Sequence, residues 1–283
     1  MGGLGNQMFQ YAAGRALALR LGAELRLDLS WFASTAKRLF MLNAFPNINV
    51  PVATEQEIES LAYAPCGLFC RLLRRRQYAK NYVAEPHYAY WDGFRKIIAP
   101  AYLSGYWQNE LYFKDVTDTI RWDFTFPSLP KDTAEITDRI QVPNNVVAVH
   151  IRRGDYTSNS ETNQIHGLCS PEYYCKALKT VADRVTCELE LFLFTDDPVW
   201  VRENFDTQGM SATVMDFPDH ITSPWHDLHL MLLCKHHIIA NSSFSWWGAW
   251  LSEGNGMTIA PKQWFAEKSL TQNSPVPMSW ITL

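Results

Sequence analysis

The sequence predicts an α/β fold built on a parallel sheet, and three observations carry that prediction. In the second half of the chain apolar strands alternate with amphipathic helices, which places helices on both faces of a parallel sheet. Polar residues able to do chemistry recur just after those strands, where such sheets bind ligands. The 283 residues, 47% of them hydrophobic, suffice for roughly two domains of ~100–200 residues with cores of their own.

Taken in order, Gly2, Gly3 and Gly5 precede a helical pattern through Phe9, Ala12, Ala13, Ala16 and Leu17. Leu25, Leu27 and Leu29 then alternate like a half-buried strand, and from 35 to 125 the pattern is irregular and rich in Tyr, Pro and Trp. A polar stretch from Pro127 to Pro143 reads as a connection with one short helix, and it places the domain boundary so that the domains are 1–135 and 136–283. The second half continues with a strand Val146 to Ile151, a helix opened by Ser170 and Pro171, and a strand Leu189 to Phe194. A strand near Val214, a helix Trp225 to Lys235, a strand His237 to Ala240, a helix Phe244 to Leu251 and a last strand near Ile259 complete it. The strand ends carry His150 to Asp155, Thr195 to Asp197, Asp216, and Asn241 to Ser245.

A net charge of −4 supplies no basic field for nucleic acid. Charged residues are 19% and aromatics 13%, with eleven Trp and twelve Tyr, rings that suit sugar faces as well as cores. There is no apolar run of about 18 residues and no basic-then-apolar leader, so a soluble cytoplasmic protein is expected. The six Cys are scattered; Cys66 and Cys70 lack zinc spacing, and all are expected to be reduced, mostly core thiols.

The sharpest signal is His150-Ile-Arg-Arg-Gly-Asp-Tyr156. Arg152 and Arg153 beside a strand end can offer fixed donors to a pyrophosphate, with the Asp155 carboxylate in reach; a structural Arg–Asp pair is the alternative. Gly2-Gly3-Leu4-Gly5-Asn6-Gln7 ahead of a helix suits an anion or a plain tight turn, and it matches neither a Walker loop nor the dinucleotide fingerprint. In Asn241-Ser-Ser-Phe-Ser-Trp-Trp-Gly-Ala-Trp250, hydroxyls and amides at a strand-to-helix junction suit phosphate, while Trp246, Trp247 and Trp250 read as helix core. Asp196-Asp197 is similar to the acidic pair of metal-dependent sugar transferases, but an N-cap ahead of Pro198 fits as well. His226 and His229 share a helix face without a third ligand, and no metal site is expected.

Together these segments resemble the α-1,2-fucosyltransferases of glycosyltransferase family 11 over nearly the whole chain: Gly2 to Ala12, His150 to Tyr156, and Asn241 to Leu251. The resemblance implies a GT-B type architecture, two Rossmann-like domains facing each other across a cleft. It also implies GDP-β-L-fucose as donor, inversion to an α-fucoside, no metal or other cofactor, and a β-galactoside acceptor fucosylated at its 2-hydroxyl. Residues 1–135 would then form the acceptor-side domain and 136–283 the GDP-fucose domain. On the matching positions, Arg152 would hold the β-phosphate and Arg153 would brace the loop towards the acceptor side. His150 and Asp227 match positions that contact guanine in the wider fucosyltransferase group. Ser242, Ser243 and Phe244 match the phosphate-binding turn, and Asn6 and Gln7 would face the nucleotide-sugar from the other domain. Family members carry a short apolar strand before the glycine loop, whereas here Met1 directly precedes Gly2. Either the first sheet lacks its first strand or the start lies upstream.

Transfer to a hydroxyl calls for a base on the acceptor side. Asp155 is the first candidate, with Arg152 as its catalytic companion, and Glu161 and His166 are second choices. Pairing with Arg152 or Arg153 would weaken Asp155 as a base, and the departing diphosphate could itself take the proton. Arg71, Arg74, Arg75 and Arg76 follow Leu68, Phe69, Leu72 and Leu73, a run suited to peripheral contact with the inner membrane surface or to a solvated helix end. The expected partners are GDP-fucose and a galactose-terminated oligosaccharide or glycolipid. The alternatives are another acceptor, a related GDP-sugar, or a non-catalytic glycan-binding protein.

Overall fold

Six strands of the second half pair side by side, all parallel, in a computed structural model that describes residues 1–35, 38–64, 77–141, 145–154, 167–217, 223–267, 270 and 274–283. Asp155, Glu161 and His166 lie outside the described residues, as do Cys66, Cys70 and the run from Leu68 to Arg76. The α/β class with parallel sheets is as expected. The chain divides into two compact units, Met1–Thr125 and Phe126–Leu283. The division falls upstream of the expected 135/136, because the short helix of the connection packs with the second unit: Ile140 is buried beside Val146, Phe192 and Leu230.

In the first unit, helix α1 (Leu4–Leu21) is buried along most of its length and ends at Gly22, whose left-handed φ of 60° lets its amide reach back to the last turn. Its Tyr11 hydroxyl (2.8 Å) and Arg15 Nε (3.0 Å) both donate to the buried carboxylate of Asp123, at the end of helix α3 (Thr117–Asp123). Phe45 and Phe124 close this cluster, with ring centroids 5.1 Å apart. Helix α2 (Glu55–Ala62) is started by a capping box between Thr54 and Glu57. The strand expected at Leu25 to Leu29 appears as one parallel bridge, Leu27 to Val52, and β1 (Tyr82–Ala84) pairs in parallel with β2 (Tyr102–Ser104). A cavity of about 880 Å³ within this unit is walled by Asp28, Trp31, Phe32, Tyr63 and Tyr102, and the Tyr102 hydroxyl donates to Asp28 at 2.6 Å.

The second unit runs α4 (Ala134–Gln141), β3 (Val146–Ile151), α5 (Pro171–Ala182), β4 (Glu190–Thr195), α6 (Pro198–Asn204) and β5 (Ser211–Met215), then α7 (Trp225–Leu233), β6 (His236–Ile238), α8 (Ser243–Leu251), β7 (Thr258–Ala260) and β8 (Ile281–Thr282). The strand order is β5-β4-β3-β6-β7-β8. The chain therefore starts in the middle, walks to one edge, and returns to build outward from the other side of β3, so β3 and β6 flank the switch point where such sheets bind ligands. All six residues of β3 are buried, as a continuous Val-Val-Ala-Val-His-Ile run between two helical layers demands. On one face Val147, Val149, Leu191 and Ile238 pack with Tyr173, Ala177, Leu178 and Val181 of α5; on the other Val146, Ala148 and Phe192 pack with Leu230 and Met231 of α7.

Ser170 and Pro171 open α5 as expected, the Ser170 hydroxyl accepting from the Tyr173 amide. The Tyr173 hydroxyl then lies 2.7 and 3.1 Å from the carbonyl oxygens of Ile239 and Ile259, just past β6 and within β7. Trp246, Trp247 and Trp250 are buried, the helix-core role the sequence assigned them. Two expectations change. Ile259 is not in the last strand: β8 pairs outside β7, and its two residues, Ile281 and Thr282, are too few to show a period. The cysteines are not mostly core: of the four described, Cys234 alone is buried, Cys169 and Cys175 are half-buried and Cys187 is exposed.

Candidate active site

The sheet register decides which side chains meet. Ile151 of β3 lies opposite Thr195 of β4, so the next residues, Arg152 and Arg153, come level with Asp196 and Asp197. Arg152 Nη1 is 2.8 Å from Asp196 Oδ2, and Arg153 Nε is 3.4 Å from Asp197 Oδ2. The Arg153 backbone amide donates to Asp196 Oδ1 at 2.8 Å, and its guanidinium lies over the Trp200 ring, 3.5 Å from the centroid. Burial alone would raise the Asp196 carboxyl, but the Arg152 charge and the amides of Arg153 and Gly154 outweigh it and hold the group below the ordinary carboxylate range. Asp197 accepts from the Trp200 amide at 3.2 Å and so caps α6, the N-cap reading of the acidic pair. Among the described residues no group of three His, Cys, Asp or Glu is placed to hold a metal ion.

On the other side of β3, the register Val149 to Ile238 carries forward to set Arg152 level with Asn241. Asn241 is buried, its Nδ2 donating to the carbonyls of Gly167 and Trp264, and it fixes the turn into α8. The Ser242 hydroxyl accepts from the Phe244 amide at 3.3 Å and caps α8. Ser245 turns inward onto the carbonyls of Ala240 and Ser242. α8 thus opens just past the end of β6, the strand paired with β3, and a helix start carries partial positive charge. His150 links β3 to α8: its ring is 5.9 Å from that of Phe244, its backbone carbonyl accepts from Tyr174, and its Nδ1 is buried without a hydrogen-bond partner. Burial first, then the Arg152 charge, pushes its pKa down to about 3, so the ring is neutral.

The structure therefore sets His150 against Phe244, with Arg152 and Arg153 following β3 and Ser242 and Ser243 opening α8. Asp227 is half-buried in the first turn of α7, the helix that packs on α8. The remaining expected donor residues belong to the first unit. Asn6 is half-buried and its Oδ1 accepts from Gln108 at 2.7 Å. Gln7 is a correction: it is 3% exposed, its Nε2 donates to the carbonyls of Gly2 and Leu39 and its Oε1 accepts from the Met41 amide. With both N–H donors and one lone pair of its oxygen used within the protein, the buried side chain braces the chain around Leu39 rather than standing free to face a nucleotide-sugar. Trp200 is the residue that sequence reasoning did not place at the site; the sequence shows Asp196 at a strand end, as half of an acidic pair for a metal or a helix cap, and not as the partner of Arg152.

Residues 75–283 match the family model described as Glycosyl transferase family 11. An alpha-1,2-colitosyltransferase of Escherichia coli is 35% identical over 284 residues, covering 100% of this chain and 96% of that protein. The O-antigen biosynthesis glycosyltransferase WbnK of Escherichia coli is 30% identical over 312 residues, with 100% and 98% covered. A galactoside alpha-(1,2)-fucosyltransferase 1 of Plecturocebus brunneus is 27% identical over 268 residues, covering 92% of this chain and 66% of that protein.

Proposed function

The chain belongs to glycosyl transferase family 11, and from that premise we propose that it moves L-fucose from GDP-β-L-fucose to the 2-hydroxyl of a terminal β-galactoside, with inversion to the α-linkage. The observation that carries this reading is that Arg152 and Arg153 follow β3 and α8 opens just after β6, the two strands that flank the switch point of the sheet. Guanidinium forks and helix-terminal amides are what a departing diphosphate needs, since negative charge grows on it as the sugar leaves. In the transfer, the acceptor oxygen bonds to the sugar's anomeric carbon as the bond from that carbon to the diphosphate breaks. The acceptor proton passes to a base, for which we propose Asp155.

With two arginines and a helix terminus to neutralise the diphosphate, the reaction is proposed to need no metal. The first unit is proposed as the acceptor side, its aromatic-walled cavity being of a size that accommodates a sugar. A second donor is favoured by the 35% identity to a colitosyltransferase: colitose is fucose without its 3-hydroxyl, so the same site chemistry would serve both.

The test offers purified protein GDP-fucose and GDP-colitose, with and without chelator, against a panel of terminal β-galactosides, and reads the linkage by NMR. An α-1,2-linked fucoside formed in the presence of chelator is expected. Preference for GDP-colitose would reassign the donor, a chelator-abolished rate restored by Mn²⁺ would overturn metal independence, and no transfer with either donor would overturn the function.

A further inference from the structure

The reading above leaves Asp196 without a task, although the loop that carries Arg152 is built around its carboxylate. Three consecutive residues of that loop meet it. Oδ2 pairs with the Arg152 guanidinium at 2.8 Å, Oδ1 accepts from the Arg153 amide at 2.8 Å, and the Gly154 amide is bonded to the same carboxylate. A β-carbon on Gly154 would fall 2.4 Å from Asp196 Oδ2 and 2.9 Å from its Cγ, so any side chain there would displace the carboxylate from its present place. Gly154 does not need its glycine for backbone reasons, since it is not among the residues with positive φ.

We propose that Asp196 is a positioning residue for diphosphate binding: from the end of β4 it fixes the Arg152 guanidinium and the Arg153–Gly154 backbone, and its carboxylate is the reason residue 154 is glycine. The proposal rests on the reading of the Arg152 loop as the diphosphate site. An unrestrained arginine loses rotamer freedom when it grips a ligand, and holding it beforehand removes that cost from binding. A guanidinium carries five N–H donors, so a carboxylate on Nη1 can orient it without using them all. Asp196 is also well placed to keep its own charge, because the amides and Arg152 that it organises are what hold it ionised.

Titration calorimetry with GDP on the full chain tests this through two linked sets of variants. Asp196→Asn keeps the side-chain shape and an oxygen for the Arg153 amide but removes the negative charge that faces Arg152. It should weaken GDP at least tenfold, and the Arg152→Ala/Asp196→Asn double variant should bind no worse than Arg152→Ala alone. A purely structural Asp196 would instead lower the melting temperature and give losses that add.

Gly154→Ala reads the same contact from the loop side. It should weaken GDP in the natural background and cause no further loss once Asp196 is Ala. Full GDP affinity in Asp196→Asn, or additive losses in the first set, overturns the positioning role while leaving the diphosphate site standing. If the Asp196 variants do not fold, full affinity in Gly154→Ala at an unchanged melting temperature overturns it. Absence of GDP binding by the unaltered protein overturns both readings together.

Discussion

In the first unit, the polar residues that follow the opening glycines are turned onto the protein itself: Gln7 serves Gly2, Leu39 and Met41, and Asn6 holds Gln108. In the second unit the comparable residues come after strands, where sheet register sets Arg152 against Asp196 and Arg153 against Asp197, and His150, near the end of β3, keeps a buried nitrogen without a partner. Both segments read as anion-binding motifs in the sequence. The difference lies in what surrounds them: Gln7, inside a buried helical face, must satisfy its amide with protein groups, whereas a residue past the end of a parallel strand is delivered to the edge where the sheet stops.

The largest expected effect would sharpen this contrast. Asp155→Asn should lower kcat by ~10² or more with GDP affinity retained, as removal of a base does. A parallel loss of GDP binding would make Asp155 an orienting group, and a near-normal kcat would exclude both roles.

Gln7→Leu should instead destabilise the fold, by about 2–3 kcal/mol, because it leaves a buried amide and two carbonyls without partners. Chemical denaturation measures this. A variant of undiminished stability that lost transfer activity would break the contrast and return Gln7 to the donor site.

Acid should also separate the two units. His150 and His237 are buried and neutral, with pKa values pushed down to about 3 and about 4 from the ordinary 6.5, chiefly by burial. The unfolded chain takes up those protons below about pH 6.5 and the native one does not, so stability falls as pH drops from there towards the native values. A loss on the order of 1–2 kcal/mol per histidine by pH 5 is expected. The one described histidine of the first unit, His87, is exposed. Hydrogen exchange at pH 7 and pH 5 should therefore show protection lost in β3 and β6 before α1; equal loss in both units would contradict it.

Arg152→Ala should weaken GDP at least tenfold through the loss of charge-assisted bonds worth about 1.5–3 kcal/mol each, while its effect on stability should be the smallest of all, with the melting temperature nearly unchanged. A large fall in melting temperature with GDP affinity retained would make the Arg152–Asp196 pair a structural one, and the two units would then be alike.

Much of the second unit was legible because β3 and β4 are continuous apolar runs of the kind a strand buried on both faces needs, and its helices carry their own caps at Ser170, Asp197 and Ser242. The first unit beyond α1 was not, since it has no long apolar strand among the described residues and its order comes from long-range pairs such as Tyr11 with Asp123, which leave no period in the sequence. At the site, the arginines and the α8 turn could be read from the residue types alone. The use of Asp196 could not: it depends on which strand lies next to β3, and strand order is a property of the folded chain.

The tryptophans of α8 give the molecule an optical property. Trp246 lies 5.0 Å from Trp247, 5.8 Å from Trp250 in a stacked arrangement, and 5.6 Å from Trp280, between ring centroids. Indoles so close couple their transitions, so the cluster is expected to give a near-ultraviolet circular-dichroism signal of its own. Because the same helix begins at the Ser242 cap just past the end of β6, a ligand that shifts that turn would change the signal without any dye attached.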